Sequence, residues 1–215
     1  FNKLSLKASN DTVLNLAASL DGFRKGTMQL DSITADLHQH GSYLLYALQL
    51  NNRPGTFDQF AHVDASGYIN ASRLSIVAHQ ENIQGETGYS LGAVASLRDS
   101  TLFHIQFVPF HPIIGYKDWE LNPDNFIDFD LAKRHLDANL YFHNSVSSLH
   151  LFTNHDHSDS SADDINLQIK DVKLSDWLAI NPFAPPVTGD LSADLKFRWA
   201  SPDLNGSGTV ALTDF

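Results

Sequence analysis

The chain has 215 residues, 42% of them apolar and 18% charged, with 14 Lys and Arg against 25 Asp and Glu for a formal net charge of −11. That is enough apolar material for a core. It is too little positive charge for sequence-independent nucleic-acid binding or for docking on anionic lipid headgroups, both of which rest on Lys and Arg. With no cysteine in the chain, disulfide frameworks, thiolate zinc sites, iron–sulfur clusters and cysteine nucleophiles drop out together.

Apolar residues recur at every second position along most of the chain, the mark of half-buried strands. Leu4, Leu6 and Ala8 alternate with Lys3, Ser5 and Lys7 from the outset. Then come Leu14, Leu16, Ala18 and Leu20, followed by Ile33, Ala35 and Leu37, and by Leu44, Tyr46, Leu48 and Leu50. Val63, Ala65 and Ile69 precede Leu74, Ile76 and Ala78. Tyr89, Leu91, Ala93, Ala95 and Leu97 lead to Phe103, Ile105 and Phe107. Residues 1–108 therefore read as an N-terminal antiparallel meander. Residues 109–123 hold Pro109, Pro112 and Pro123 with Tyr116 and Trp119, and read as a connection, because proline cannot donate to a central ladder.

The alternation resumes over 124–215. It runs through Ile127 and Phe129, then Leu136, Ala138, Leu140 and Phe142, then Leu149 and Leu151, then Ile165, Leu167 and Ile169. Leu191, Ala193, Leu195, Phe197 and Trp199 follow, with Leu204, Val210 and Leu212 last. One short helix is expected near 175–181, with Ser175 or Asp176 as its cap and Asn181-Pro182 as its stop. Residues 155–164 read as a polar loop. Tight reversals are expected at Asn10-Asp11, Asp21-Gly22, Arg98-Asp99-Ser100, Lys133-Arg134 and His143-Asn144. The fold class is all-β, about a dozen strands in a curled antiparallel meander, with small inward residues that let the sheet bend. A β-sandwich is the alternative. The chain opens without Met in a strand-like pattern and closes in another, so we expect a piece of a longer protein, without a transmembrane run or signal peptide of its own.

Several stretches carry a resemblance: Trp119–Asp130 (WELNPDNFIDFD), Leu136–Leu140 (LDANL), Ile165–Ile169 (INLQI) and Leu174–Leu178 (LSDWL), then Asn181–Pro185 (NPFAP), Gly189–Leu195 (GDLSADL) and Leu204–Val210 (LNGSGTV). From Trp119 onward the chain resembles the C-terminal region of the TamB-like translocation and assembly module proteins, in the versions of Bacteroidetes-type bacteria. The first half shares the periodicity only. The resemblance implies an elongated half-pipe, or β-taco, with an apolar groove, related to AsmA-like and bridge-like lipid-transfer proteins. It implies a full-length protein anchored in the inner membrane of a Gram-negative envelope and extending through the periplasm. Such a protein carries phospholipid acyl chains or assists outer-membrane protein assembly and secretion with an Omp85-type barrel. An open curled sheet fits this physically, since acyl chains can fill its trough without any charge on the lining.

The residues expected to line the groove, by apolar contact alone, are Ile127, Phe129, Leu136, Leu140, Phe142, Leu149, Leu151, Ile165, Leu167, Ile169, Leu191, Leu195 and Phe197. Other constellations are weaker. His38 and His40 share a strand face and His155-Asp156-His157 lies in a loop, but neither pair brings the third ligand that zinc wants. Asp128 and Asp130 share a face near Glu120 and Asp124, as glycosidase carboxylates do. They alternate with Ile127, Phe129 and Leu131, which is the ordinary pattern of a solvated outer face. Trp119 and Tyr116 form the candidate platform of a rival reading, a periplasmic or extracellular glycan- or protein-binding module. No nucleotide or nucleophile-elbow motif occurs. The expectation is a protein without catalytic residues, metal or cofactor, and without a nucleic-acid partner.

Overall fold

A computed structural model describes residues 1–10, 13–26, 28–52, 60–154, 162–181, 184–185, 187–200 and 203–214. The reversal expected at Asn10-Asp11 falls partly outside these residues, as do His155-Asp156-His157, most of the 155–164 loop and Pro182. The described chain is almost entirely strand. Its elements are β1 (Lys3–Ser9), β2 (Asn15–Lys25), β3 (Met28–His40), β4 (Tyr43–Asn52), β5 (His62–Ile69), β6 (Arg73–Glu81), β7 (Thr87–Leu97) and β8 (Leu102–Ile114). Then follow β9 (Lys117–Asp118), β10 (Glu120–Leu121), β11 (Phe126–Asp130), β12 (His135–His143), β13 (Ser148–Asn154), β14 (Asp163–Lys173), α1 (Leu174–Leu178), β15 (Asp190–Ala200) and β16 (Asp203–Thr213). All sixteen strands belong to one antiparallel sheet, in the order β1 to β8, then β11 to β16, with β9 on β8 and β10 on β12. The sheet is open, a meander that does not close into a barrel. The alternative of two packed sheets is not what the chain forms. Most neighbours in the sheet are also consecutive in sequence, so those strands pair locally; the exceptions are β8 with β11 and β10 with β12, and α1 lies on the connection from β14 to β15.

By compactness the chain divides into two units, one of Phe1–Val94 with Ile113–Lys117 and Ala179–Ala184, the other of Ala95–Pro112, Asp118–Leu178 and Pro185–Phe215. Set beside the 1–108, 109–123 and 124–215 reading, residues 95–108 fall in the second unit, 179–184 in the first, and 109–123 is divided between the two.

In the first unit the period-two pattern becomes continuous apolar rows across strands. One row is Leu4, Leu20, Ile33, Leu50 and Val63, and a second is Leu6, Ala18, Ala35, Leu48, Ala65 and Ala78. A third runs Leu16, Leu37, Tyr46, Gly67 and Ile76. At Gly67 the Tyr46 phenol crosses the bare backbone of β5 and donates to the Ser75 carbonyl on β6 at 2.7 Å. A Cβ on Gly67 would lie 1.9 Å from that oxygen, so the crossing requires glycine. The reversal expected at Asp21-Gly22 is absent: β2 continues through it, and Asp21 still pairs Ser32 while Phe23 pairs Leu30. The chain turns instead after Lys25, which pairs Met28, with Gly26 at φ 62°. Gly26 tolerates this left-handed backbone because it lacks a Cβ.

In the second unit two expectations need correction. The prolines of 109–123 do not end the strand before them, since β8 runs to Ile114 through Pro109 and Pro112. Proline lacks only the donor; the Pro112 carbonyl still accepts the Trp119 N–H at 2.9 Å. Where β11 has not yet begun, the Asn125 side chain completes the ladder. Its Oδ1 accepts from Phe107 N at 2.7 Å, and its Nδ2 donates to the carbonyls of Phe107 and Asn122 at 3.3 and 2.9 Å. The helix spans Leu174–Leu178, so Ser175 and Asp176 lie inside it rather than capping it. It starts directly at the end of β14, with Leu174 N bonded to the Gly189 carbonyl. Among the described residues no helix is long and apolar enough to cross a membrane.

Candidate functional site

All thirteen residues expected to line a groove fall in the second unit, and the strand registers put them on one face. Leu140, Leu151, Leu167 and Leu195 form one row, ending at Gly208. Phe142, Leu149, Ile169, Ala193 and Val210 form the next. Ile165, Phe197 and Gly206 form a third, which Ile127 joins through Ala138 and Thr153. Phe129 pairs Leu136, and Leu191 pairs Val172 and Leu212. Rows arise because antiparallel partners directly opposite each other point to the same side of the sheet.

Between its ends the lining of β11 to β16 carries no ionisable side chain: the buried Asp163, opposite Trp199, stands at one end, and the Thr153 hydroxyl is turned to Asp137 at 2.6 Å. Only Leu140 and Phe142 of the thirteen are buried, each 6% exposed; the other eleven are half-buried. Side chains in a closed two-layer core are enclosed from both sides, whereas this face is covered only in part. The alternation also runs on to Trp199, outside the expected thirteen, which stacks on Phe129 with ring centroids 5.8 Å apart. The signal was present in the sequence as the continuation of Leu195 and Phe197. Ala138 and Val172 complete the lining, 3% and 5% exposed.

The opposite face is polar and locally paired. His104 Nδ1 lies 2.5 Å from Asp128 Oδ1, and Arg98 lies 3.6 Å from the same carboxylate. Asp130 is turned into the reversal after β11. The N–H of Lys133 foremost, then that of Ala132, donates to it and holds its carboxyl below the usual carboxylate range, against the opposing effect of burial. Asp128 and Asp130 thus serve separate partners. Glu120 approaches His143 at 3.7 Å, and Asp124 accepts from Asn122 and Asn139 at 3.1 and 3.0 Å. His38 is bonded to Asn15. Among the described residues no group of three or more His, Asp or Glu is placed to hold a metal ion.

The aromatic platform is overturned. Trp119 is 3% exposed and packs edge-on against Trp177 with centroids 5.8 Å apart, so its faces are not offered to a sugar. Tyr116 lies in the first unit, its N–H bonded to the Gly88 carbonyl at 3.1 Å. The chain matches no family model, no curated protein and no solved structure.

Proposed function

We propose that the apolar face of the second unit holds the hydrocarbon chains of a lipid, and that this chain is a section of a periplasmic lipid carrier of the TamB-like kind. In that reading the intact protein is anchored in the inner membrane and works with an Omp85-type outer-membrane barrel, toward lipid transport or outer-membrane protein assembly. The observation that carries the proposal is the lining: continuous rows of Leu, Ile and Phe on one open sheet, mostly half-covered, with an ionisable group, the buried Asp163, only at one end.

The lining also distinguishes between occupants. A peptide would bring backbone N–H and C=O groups onto a face that offers them no partner, at a cost of a few kcal/mol for each group left unpaired. Hydrocarbon brings none. Each methylene withdrawn from water contributes about 0.8 kcal/mol, so a dozen methylenes supply roughly 10 kcal/mol before the costs of association. The scarcity of Lys and Arg fits a site that holds tails and leaves headgroups in solvent.

The test is mass spectrometry of organic extracts of the purified chain against a mock purification from the same cells. Phospholipid or fatty acid enriched with the protein is the expected result, and the enrichment should fall when Leu140, Leu167 and Leu195 are replaced together by Ser. Extracts indistinguishable from the mock would count against an acyl-binding face.

A further inference from the structure

In the second unit the walls of the apolar face meet at one end. β11 and β15 stand four places apart in the sheet, a separation of about 19 Å along a flat sheet. Phe129 and Trp199 nevertheless stack, with their planes at 14°. Both belong to the apolar face: Phe129 pairs Leu136 and Trp199 pairs Leu204. The two rings therefore span from one wall of the trough to the other. Both are half-buried, so they lie across the trough and are not sealed within a core.

An independent contact draws the same end together. β13 ends at Asn154, and beyond it β12 and β14 touch directly. Asp163, the cross-strand partner of Trp199, is buried, accepts the backbone N–H of Leu136 at 2.8 Å and pairs with His135. One carboxylate thus ties two strands that are not neighbours, at the level of the rings and on their own side of the sheet. At the opposite end of β14, α1 follows at once and brings Trp177 against Trp119. Between these ends the β14 lining runs from Ile165 to Val172, roughly 23 Å at strand spacing. A leaflet's acyl chains occupy about 15 Å, so this length takes one extended chain and not two end to end.

We infer that Phe129 and Trp199 form a crossbar that closes one end of the trough and retains a single acyl chain in it, with Asp163 as the tie that holds the crossbar shut. The inference rests on the acyl-chain reading and adds a stop: the chain is held against sliding out along the strands, and enters and leaves from the open long side.

The test uses cis-parinaric acid, a fluorescent fatty acid, bound to the whole chain and displaced by excess phosphatidylcholine vesicles in a stopped-flow instrument. Release from Phe129→Ala and Trp199→Ala should be up to about tenfold faster than from the wild type, the scale set by one stacked aromatic pair. Trp199→Phe, which keeps a ring across the trough, should release as the wild type does. Asp163→Asn leaves both rings and every apolar lining residue in place, so it serves where the alanine variants fail to fold; it too should release faster. Folded variants that release at the wild-type rate would overturn the crossbar while leaving the acyl reading intact. A wild-type chain that takes up no parinaric acid would overturn both, and the ring pair would then be only a packing contact.

Discussion

His150 sits on the polar face of β13, stacked on Phe152 at 4.3 Å and edge-on to Tyr141 at 5.0 Å. Its burial among these rings holds the imidazole below its ordinary pKa, because desolvation penalises the charged form. The unfolded chain protonates His150 near pH 6.5 and the folded chain only at lower pH, so this residue's contribution to stability falls as pH drops through that window. Urea unfolding midpoints compared at pH 7.5 and 5.5 should therefore show a smaller acid loss for His150→Phe than for the wild type. An unchanged pH difference would remove the burial argument. Single residues also show what alternation hides. Asn125 is 1% exposed and makes three hydrogen bonds in place of a missing strand neighbour, yet in the sequence it is one more polar residue after a proline.

At the scale of elements, the pairing of β4, β5 and β6 depends on a missing side chain. The Tyr46 hydroxyl reaches Ser75 only because Gly67 is bare, and the atom in the way of a Cβ is backbone. Gly67→Ala should lower the unfolding free energy by about 1–3 kcal/mol, the usual cost of overpacking. Tyr46→Phe, which keeps the ring and loses one hydrogen bond, should cost about 1 kcal/mol. Thermal unfolding of both variants checks the order; a Gly67→Ala chain as stable as the wild type would show that β5 and β6 can shift apart. β8 teaches the complementary point: it runs through Pro109 and Pro112, and the Pro112 carbonyl still serves the neighbouring segment by accepting from Trp119 N–H.

At the scale of the whole molecule, an open meander must end in two edges. β16 is exposed at every position, with Leu204 at 61% and Val210 at 65%, and from Leu204 to Thr213 it carries neither charge nor proline. Natural edges usually contain one or the other to block pairing with further strands. The purified chain should therefore self-associate with rising concentration, and Val210→Lys should suppress this by placing a charge on the apolar side of the edge. Sedimentation velocity over a range of concentrations measures it. The same degree of association in the variant would locate the contact elsewhere.

The alternation alone determined a great deal. A period of two locks every second residue to one face, so the all-β class, the meander and the common face of Ile127 through Phe197 were all legible before any contact was known. Local punctuation was less legible: Gly22 and Gly26 look alike in sequence, and only pairing across β2 and β3 selects where the chain turns. Tertiary structure alone decided the rest. It buried Trp119 and withdrew it from solvent, gave Asp128 and Asp130 separate partners, and brought Phe129 to Trp199 across three intervening strands. Periodicity states which way a side chain points along its own strand. How strongly the sheet bends depends on the sum of twist, bare glycines and strand ends, and that sum determines which residues meet across it.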